Sequence, residues 1–218
     1  VKDEIEAGSA KLICVADASI ASFANGGDYT KDTNEQGTNA GLSERLKIKK
    51  YENQPILKFD FSNTPKRATI TEAYLEVYML EDKPLSLVGV ASLHVDWNEG
   101  EGKWNDEGTP DISHTGACFA GPKGVKSKWT NVPGGNFTHV AGGNGGNATS
   151  CMKAISLGGG KWKIPVAPAV IMAAREHGQT LIISDETGIF VDPISNGFFC
   201  SRHVKDKEPV LNITWQKG

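Results

Sequence analysis

Three stretches of the chain repeat with a period of two. From 45 to 50, Leu46 and Ile48 alternate with Arg45, Lys47 and Lys49; Leu57, Phe59 and Phe61 then alternate with Lys58 and Asp60; and Leu75, Val77 and Met79 alternate with Tyr74, Glu76 and Tyr78. Successive side chains of an extended strand point to opposite faces, so this pattern describes strands with one buried and one wet side. Between such runs lie polar turns such as 62–65, and the 25 glycines and 10 prolines are spread along the chain without clustering. That punctuation is the rhythm of an antiparallel sandwich with loops at both ends. Further strands are predicted at 88–97, 181–184, 188–191, 198–202 and 210–215, and a single short helix at 167–177, ended by Gly178. The expected fold is all-β, with residues 1–218 forming one domain.

The formal charge of -3 leaves no basic excess for nucleic acid. The longest apolar run, 164–174, is broken by Pro165 and Pro168 and falls short of the roughly 20 residues that span a bilayer, so membrane insertion is not expected. No basic-then-apolar leader follows Val1, which predicts a targeting segment either absent or already removed. Cys14, Cys118, Cys151 and Cys200 show no C-x-x-C spacing. Their even number suits disulfides. The favoured pairs are Cys14 with Cys200, joining the chain ends, and Cys118 with Cys151, clamping the glycine-rich region; the alternative is four reduced thiols in a cytosolic protein. Sequons at Asn136, Asn147 and Asn212 fit an exterior setting where the source glycosylates asparagine. The segment 97–160 reads as long structured loops, with Trp97, Trp104 and Trp129 among dense glycine and a flexible tip at 142–146.

A series of short signals follows in order: Asp17, Ala18, Ser19, Ile20; the basic strand at 45–50; the phenylalanine strand at 56–62; the strand at 70–78; Trp97, Asn98, Glu99 and then Trp104; Gly134, Gly135, Asn136, Phe137; and Phe199, Cys200, Ser201, Arg202 leading to Pro209, Val210, Leu211. In this order and spacing, over most of its length, the chain resembles the DNRLRE-type, disaggregatase-related carbohydrate-binding modules. The resemblance implies a jelly-roll β-sandwich of two antiparallel sheets, appended to polysaccharide lyases, hydrolases or surface proteins, with acidic polysaccharides among the ligands. It further implies a monomeric module of a larger polypeptide, secreted or held at the extracellular surface. A long insert between Trp104 and Trp162 with two cysteines departs from the family pattern.

Two surfaces are candidates for such a ligand. Arg45, Lys47 and Lys49 share one strand face, joined by Lys58 if the next strand is a hairpin neighbour, and Arg202 could add to them. A cationic row needs either acidic neighbours such as Asp60 and Glu76 or an anionic ligand, a uronate or sulfate. Tyr74 and Tyr78 stand on the outward side of one strand and could stack on sugar rings, unless a loop or the helix covers them; Trp104, in a polar loop, is a third aromatic candidate. The basic surface is preferred. A structural calcium ion could be held by Asp17, Asn39, Ser43 and Glu44 around the turns at Gly37 and Gly41, against ordinary turn chemistry; no other cofactor is implied. No catalytic motif is present among His94, His114, His139, His177 and His203 or elsewhere. A lyase would have to draw on Tyr78, His94 and Arg202, and a glycosidase on Glu99 with Asp106. The expectation is a non-catalytic binding module, with a lyase or hydrolase and an adhesion spacer as alternatives.

Overall fold

The computed structural model describes residues 6–22, 35–50, 52–80, 84–103, 115–130, 135–141, 148–186 and 196–216. Strand β1 (Gly8–Ala21) is its axis. Its first half pairs with β11 (Val210–Gln216), from Gly8 opposite Trp215 to Ile13 opposite Val210. Its second half pairs with β3 (Asn53–Phe59), from Cys14 opposite Phe59 to Ala21 opposite Asn53, after a register shift between Cys14 and Ala16. Outward from β11 lie β4 (Thr69–Tyr78), β8 (Lys161–Pro165) and β7 (Ile155–Gly158); outward from β3 lie β9 (Thr180–Asp185), β5 (Leu87–Leu93) and β6 (Thr149–Lys153). Every pairing is antiparallel. We call the two halves sheet A (β1, β11, β4, β8, β7) and sheet B (β1, β3, β9, β5, β6).

The halves enclose one core. Leu12, Leu75, Val77, Ile164 and Ile213 come to it from sheet A, and Leu57, Phe59, Val88, Val90, Leu181 and Ile183 from sheet B. A separate ribbon of β2 (Arg45–Ile48) and β10 (Gly197–Cys200) contributes Leu46, Ile48 and Phe199. Helix α2 (Pro168–Glu176) contributes Val170, Ile171 and Ala174. It starts with Pro168 in its first turn and stops at Gly178, whose φ of 78° suits glycine and where a Cβ would sit 2.5 Å from Leu93 O. The molecule is therefore the all-β sandwich of two antiparallel sheets that the alternation predicts. A five-residue turn, α1 (Phe137–Ala141), is additional.

Sheet A is wet on one side, and β4 alternates accordingly. A bulge sets its phase, since Thr214 opposes Glu72 while Trp215 opposes Ile70, so that Ile70 and Ala73 both reach the core. Sheet B behaves differently: all six residues of β9 are buried. Its outer face carries a second apolar cluster, in which Ala18, Ile20, Ile56, Ala91, Leu93 and Ile182 lie under Trp97, Ala117, Phe119, Trp129, Phe137 and Val140. Trp97 Nε1 donates to Thr180 Oγ1 at 2.9 Å, and Trp129 Nε1 to Cys118 O at 2.8 Å. Both indoles thus keep their N–H satisfied while burying their rings. Trp129 also meets Phe137 edge-on, with 5.0 Å between ring centroids. The glycine-rich segment after Trp97 is ordered by this cluster wherever it is described.

Several expectations are corrected. The strand expected at 88–97 ends at Leu93, and that at 198–202 ends at Cys200. The one expected at 188–191 and the tip at 142–146 lie outside the described residues. Neither expected disulfide forms: all four cysteines are free thiols. Cys118 is buried and donates to Gly121 O, whereas Cys151 is exposed on β6 at the edge of sheet B. Cys14 donates to Ala16 O at 3.2 Å and lies on β1, whereas Cys200 is on β10, which pairs only with β2 among the named strands. Burial raises the Cys14 thiol well above its ordinary pKa and pushes Cys118 up to about 11, which keeps both unreactive. Asn212 is 6 % exposed within β11, flanked by β1 and β4, and has no room for a glycan; Asn147 lies outside the described residues.

Candidate functional site

The open outer face of sheet A is built by cross-strand register. Lys11 of β1 opposes Asn212 of β11, which opposes Tyr74 of β4. Glu76 and Tyr78 continue along β4 opposite Lys163 and Lys161 of β8. Both lysines lean diagonally: Lys163 Nζ sits 4.0 Å over the Tyr74 ring and 3.6 Å from Glu72, while Lys161 Nζ is 3.0 Å from Glu76 and 5.7 Å from the Tyr78 ring centroid. Hydrogen bonding to Glu76 outweighs partial burial and holds the Lys161 pKa above its ordinary value. A shallow groove of ≈ 410 Å³ crosses the strands here, bordered by Lys11, Glu72, Tyr74, Lys163, Asn212 and Thr214. On its floor Asn212 Nδ2 is buried and has no hydrogen-bond partner. A buried amide donor left unpaired costs about 1–3 kcal/mol, and this one is out of reach of solvent. Helix α2 turns its apolar side into the core, and Tyr74 and Tyr78 are partly exposed.

The basic row is occupied by partners. Arg45 lies over the Phe198 ring at 4.7 Å, Lys47 Nζ is 3.6 Å from Glu35, and Lys49 Nζ is 2.8 Å from Glu52. Lys58 is not beside them, since β2 pairs with β10 whereas β3 pairs with β1 and β9. It lies 3.9 Å from Asp96, whose second oxygen takes Lys123 at 2.8 Å. The hydrogen bond from Lys123 lowers the Asp96 pKa against a small opposing effect of burial. Asp60 does not neutralise the row either; its carboxylate caps Ser62 through N and Oγ.

Arg202 belongs to a separate cluster. Its guanidinium grips Glu99 with Nε on Oε1 at 2.6 Å and Nη2 on Oε2. Glu99 Oε1 also accepts the Asp17 N–H at 2.8 Å, and Asp17 Oδ2 accepts the Arg202 N–H at 2.6 Å. Burial raises the Asp17 pKa to about 7, against the Arg202 N–H bond and with help from the Glu99 charge. Three distant segments are thereby tied together: β1, the loop after Trp97, and the turn after β10.

The donors expected for calcium are not gathered. Asn39 spends its whole carboxamide on backbone, donating to Glu99 O and Ala117 O and accepting from the N–H groups of Gly41 and Gly102. Gly100 and Gly116 pack so closely on that carboxamide that a Cβ on either would overlap it. Ser43 is buried, and the exposed Glu44 uses its carbonyl to accept Ser201 N–H. Asp17, Glu99 and His203 do bring one ligand-type atom each within 4.8 Å of the others. The set still does not fit a metal ion. Both Glu99 oxygens are taken by donors, His203 Nε2 at 2.9 Å from Gly41 O must carry its proton, and Arg202 is already the neutralising cation.

The residues considered for catalysis are engaged separately. Tyr78 is on sheet A beside Lys161; His94 bonds Ser92 Oγ at 2.8 Å and stacks against His177 at 4.8 Å; Arg202 holds Glu99. Burial and His177 lower the His94 pKa. Trp104, Asp106 and His114 lie outside the described residues, as does the side chain of His139. Lys11, Lys161, Lys163 and Asn212 escaped the sequence reading, because only strand register brings them to Tyr74 and Tyr78. No protein-family model matches the chain, and no curated protein does. No helix among the described residues is long and apolar enough to cross a membrane.

Proposed function

We propose that this chain is a non-catalytic carbohydrate-binding module, of the kind its sequence resembles, that holds an acidic polysaccharide along the outer face of sheet A. The observation that carries the reading is the groove across β1, β11 and β4, which the exposed Lys11 borders together with Tyr74 and Lys163. Each group has a use. The tyrosine rings offer faces for the apolar sides of sugar rings, and four residues of strand separate them by about 13 Å, a reach suited to a chain rather than one sugar. On this face Lys161 pairs with Glu76 and Lys163 with Glu72, which leaves Lys11 as the cation for a carboxylate or sulfate group. A module of this kind acts as a secreted or surface-held appendage of a polysaccharide-degrading enzyme or surface protein.

Electrophoresis through gels containing alginate, pectin, a sulfated galactan or a neutral glucan, at two salt concentrations, tests this. Retardation by the acidic polymers that weakens as salt rises is expected. Lys11→Ala should weaken that retardation with unchanged unfolding stability, because the side chain is exposed at the border of the groove. Salt-insensitive binding to the glucan, full retardation of Lys11→Ala, or new unsaturated sugar ends in the polymer would each overturn the proposal.

A further inference from the structure

The opposite outer surface, on sheet B, carries a cleft that the sheet A reading does not use. It measures ≈ 480 Å³, within the size range of small-ligand pockets. Its floor is made by small residues at the middle of the sheet. Gly89 of β5 lies between Cys151 of β6 and Ser184 of β9, and two residues along, Ala91 lies between Thr149 and Ile182. Their neighbours Val88 and Val90 belong to the main core, so the floor is firmly seated. A Cβ on Gly89 would overlap Ser184 Oγ; its absence lets Ser184 lie across the floor and donate to Glu186 Oε1 at 2.7 Å. Thr138 and Ala141 of α1 form one wall and Gln54 of β3 closes the inner end. The second apolar cluster holds α1 in place through Phe137 and Val140.

The geometry points to a second, independent binding site here, for a single neutral sugar unit or a similarly sized neutral polyol. Three features select that chemistry. Gly89, Ala91 and Ala141 leave a small-residue, apolar part of the lining for one C–H face of a pyranose ring. Hydroxyls of Thr138, Thr149 and Ser184 and the amide of Gln54 ring that patch with groups that both donate and accept, as a polyol requires. Glu186 is the one charged residue in the described lining, and a carboxylate accepts strongly from sugar hydroxyls while repelling a uronate. The volume suits one ring. This site does not rest on the sheet A reading.

Cys151 supplies the assay, because it lines the cleft and is exposed while the other three thiols are buried. Alkylation of Cys151 in the intact chain is followed at about pH 8.5, where thiolate is present. Glucose, galactose, mannose, rhamnose, glucuronate and galacturonate are each added at ~50 mM, enough to fill a site with a millimolar Kd. At least one neutral sugar should slow alkylation roughly fivefold or more, and more than its uronate counterpart does. Ala91→Leu, which fills the floor, should abolish protection without changing the unprotected rate, and Glu186→Gln should weaken binding by about tenfold. Failure of every neutral sugar to protect, equal or better protection by uronates, or unchanged protection in both variants overturns the inference. Gel retardation of Ala91→Leu by acidic polysaccharide reports the sheet A site separately, so either site can fail while the other stands. Should Ala91→Leu not fold, Glu186→Gln alone, with its isosteric side chain, decides the role of the cleft.

Discussion

Asp17→Asn isolates the most perturbed carboxyl group of the described chain. Asp17 is fully buried; Oδ2 accepts one N–H from Arg202, and Oδ1 has no partner. Burial, aided by Glu99, lifts its pKa from 3.8 to about 7. Between those two values the folded chain retains a proton that the unfolded chain has released, so the free energy of unfolding falls as pH rises and levels off above about 7. A gap of roughly three units, at 1.36 kcal/mol each, amounts to about 4 kcal/mol across the whole window. Asparagine has no charge to bury and its oxygen can keep the Arg202 N–H bond. Urea unfolding of both proteins at pH 5, 6, 7 and 8 should therefore show the variant gaining about 3 kcal/mol on the parent from the lowest pH to the highest. His94, whose pKa is depressed, contributes in the opposite sense: stability present above its unfolded pKa of 6.5 is lost as pH falls. That effect is common to both proteins and cancels in the difference. Parallel stability curves for parent and variant would refute the assignment of a neutral, buried Asp17.

Titration of native protein with a thiol reagent should find one fast-reacting cysteine, Cys151, and four after denaturation without reductant; two or none after denaturation would restore the disulfides. Gly178→Ala should cost about 1–3 kcal/mol, measured by denaturant unfolding, since the new methyl must occupy a φ of 78° and press on Leu93 O. Arg202→Ala leaves Glu99 largely buried without its cation and should cost about 2–4 kcal/mol, and Arg202→Lys should recover only part of it because a single ammonium cannot grip both oxygens.

What the sequence disclosed follows from how many sides of a strand are wet. In β2, in β4 and around Lys58 at the end of β3 one side meets water or a polar neighbour, so the period of two is readable there and marks Leu46, Ile48, Leu57, Phe59, Leu75 and Val77 as core. Strand β1 hid itself. In its sheet A half the outward positions include Ile13 and Val15, 55 % and 48 % exposed, which blurs the contrast with Leu12 and Cys14. In its sheet B half both faces are covered and the residues are small, Ala18, Ser19 and Ala21, so neither polarity nor size marks an inside. The basic row misled for a related reason. Arg45, Lys47 and Lys49 alternate as an exposed strand should, but their partners Phe198, Glu35 and Glu52 come from a paired strand and from turns whose positions only the fold supplies.

The division of β1 also accounts for how the two proposed sites differ. Where β1 runs in sheet A its outward residues Ser9 and Lys11 are polar, and the face they share with Asn212 and Tyr74 stays open along several strands. A long ligand can lie there only by adding contacts one sugar at a time, which makes affinity depend on charge and stacking together. Where β1 runs in sheet B its outward residues Ala18 and Ile20 are apolar and are roofed by Trp97, Phe119, Trp129 and Phe137. The roof covers Ala91 and Leu93 of β5, and toward Gly89 and β6 a recess opens beside α1. Substitutions at Lys11, Tyr74 or Lys163 should therefore alter polymer retardation and leave protection of Cys151 unchanged, while filling the floor at Ala91 should do the reverse.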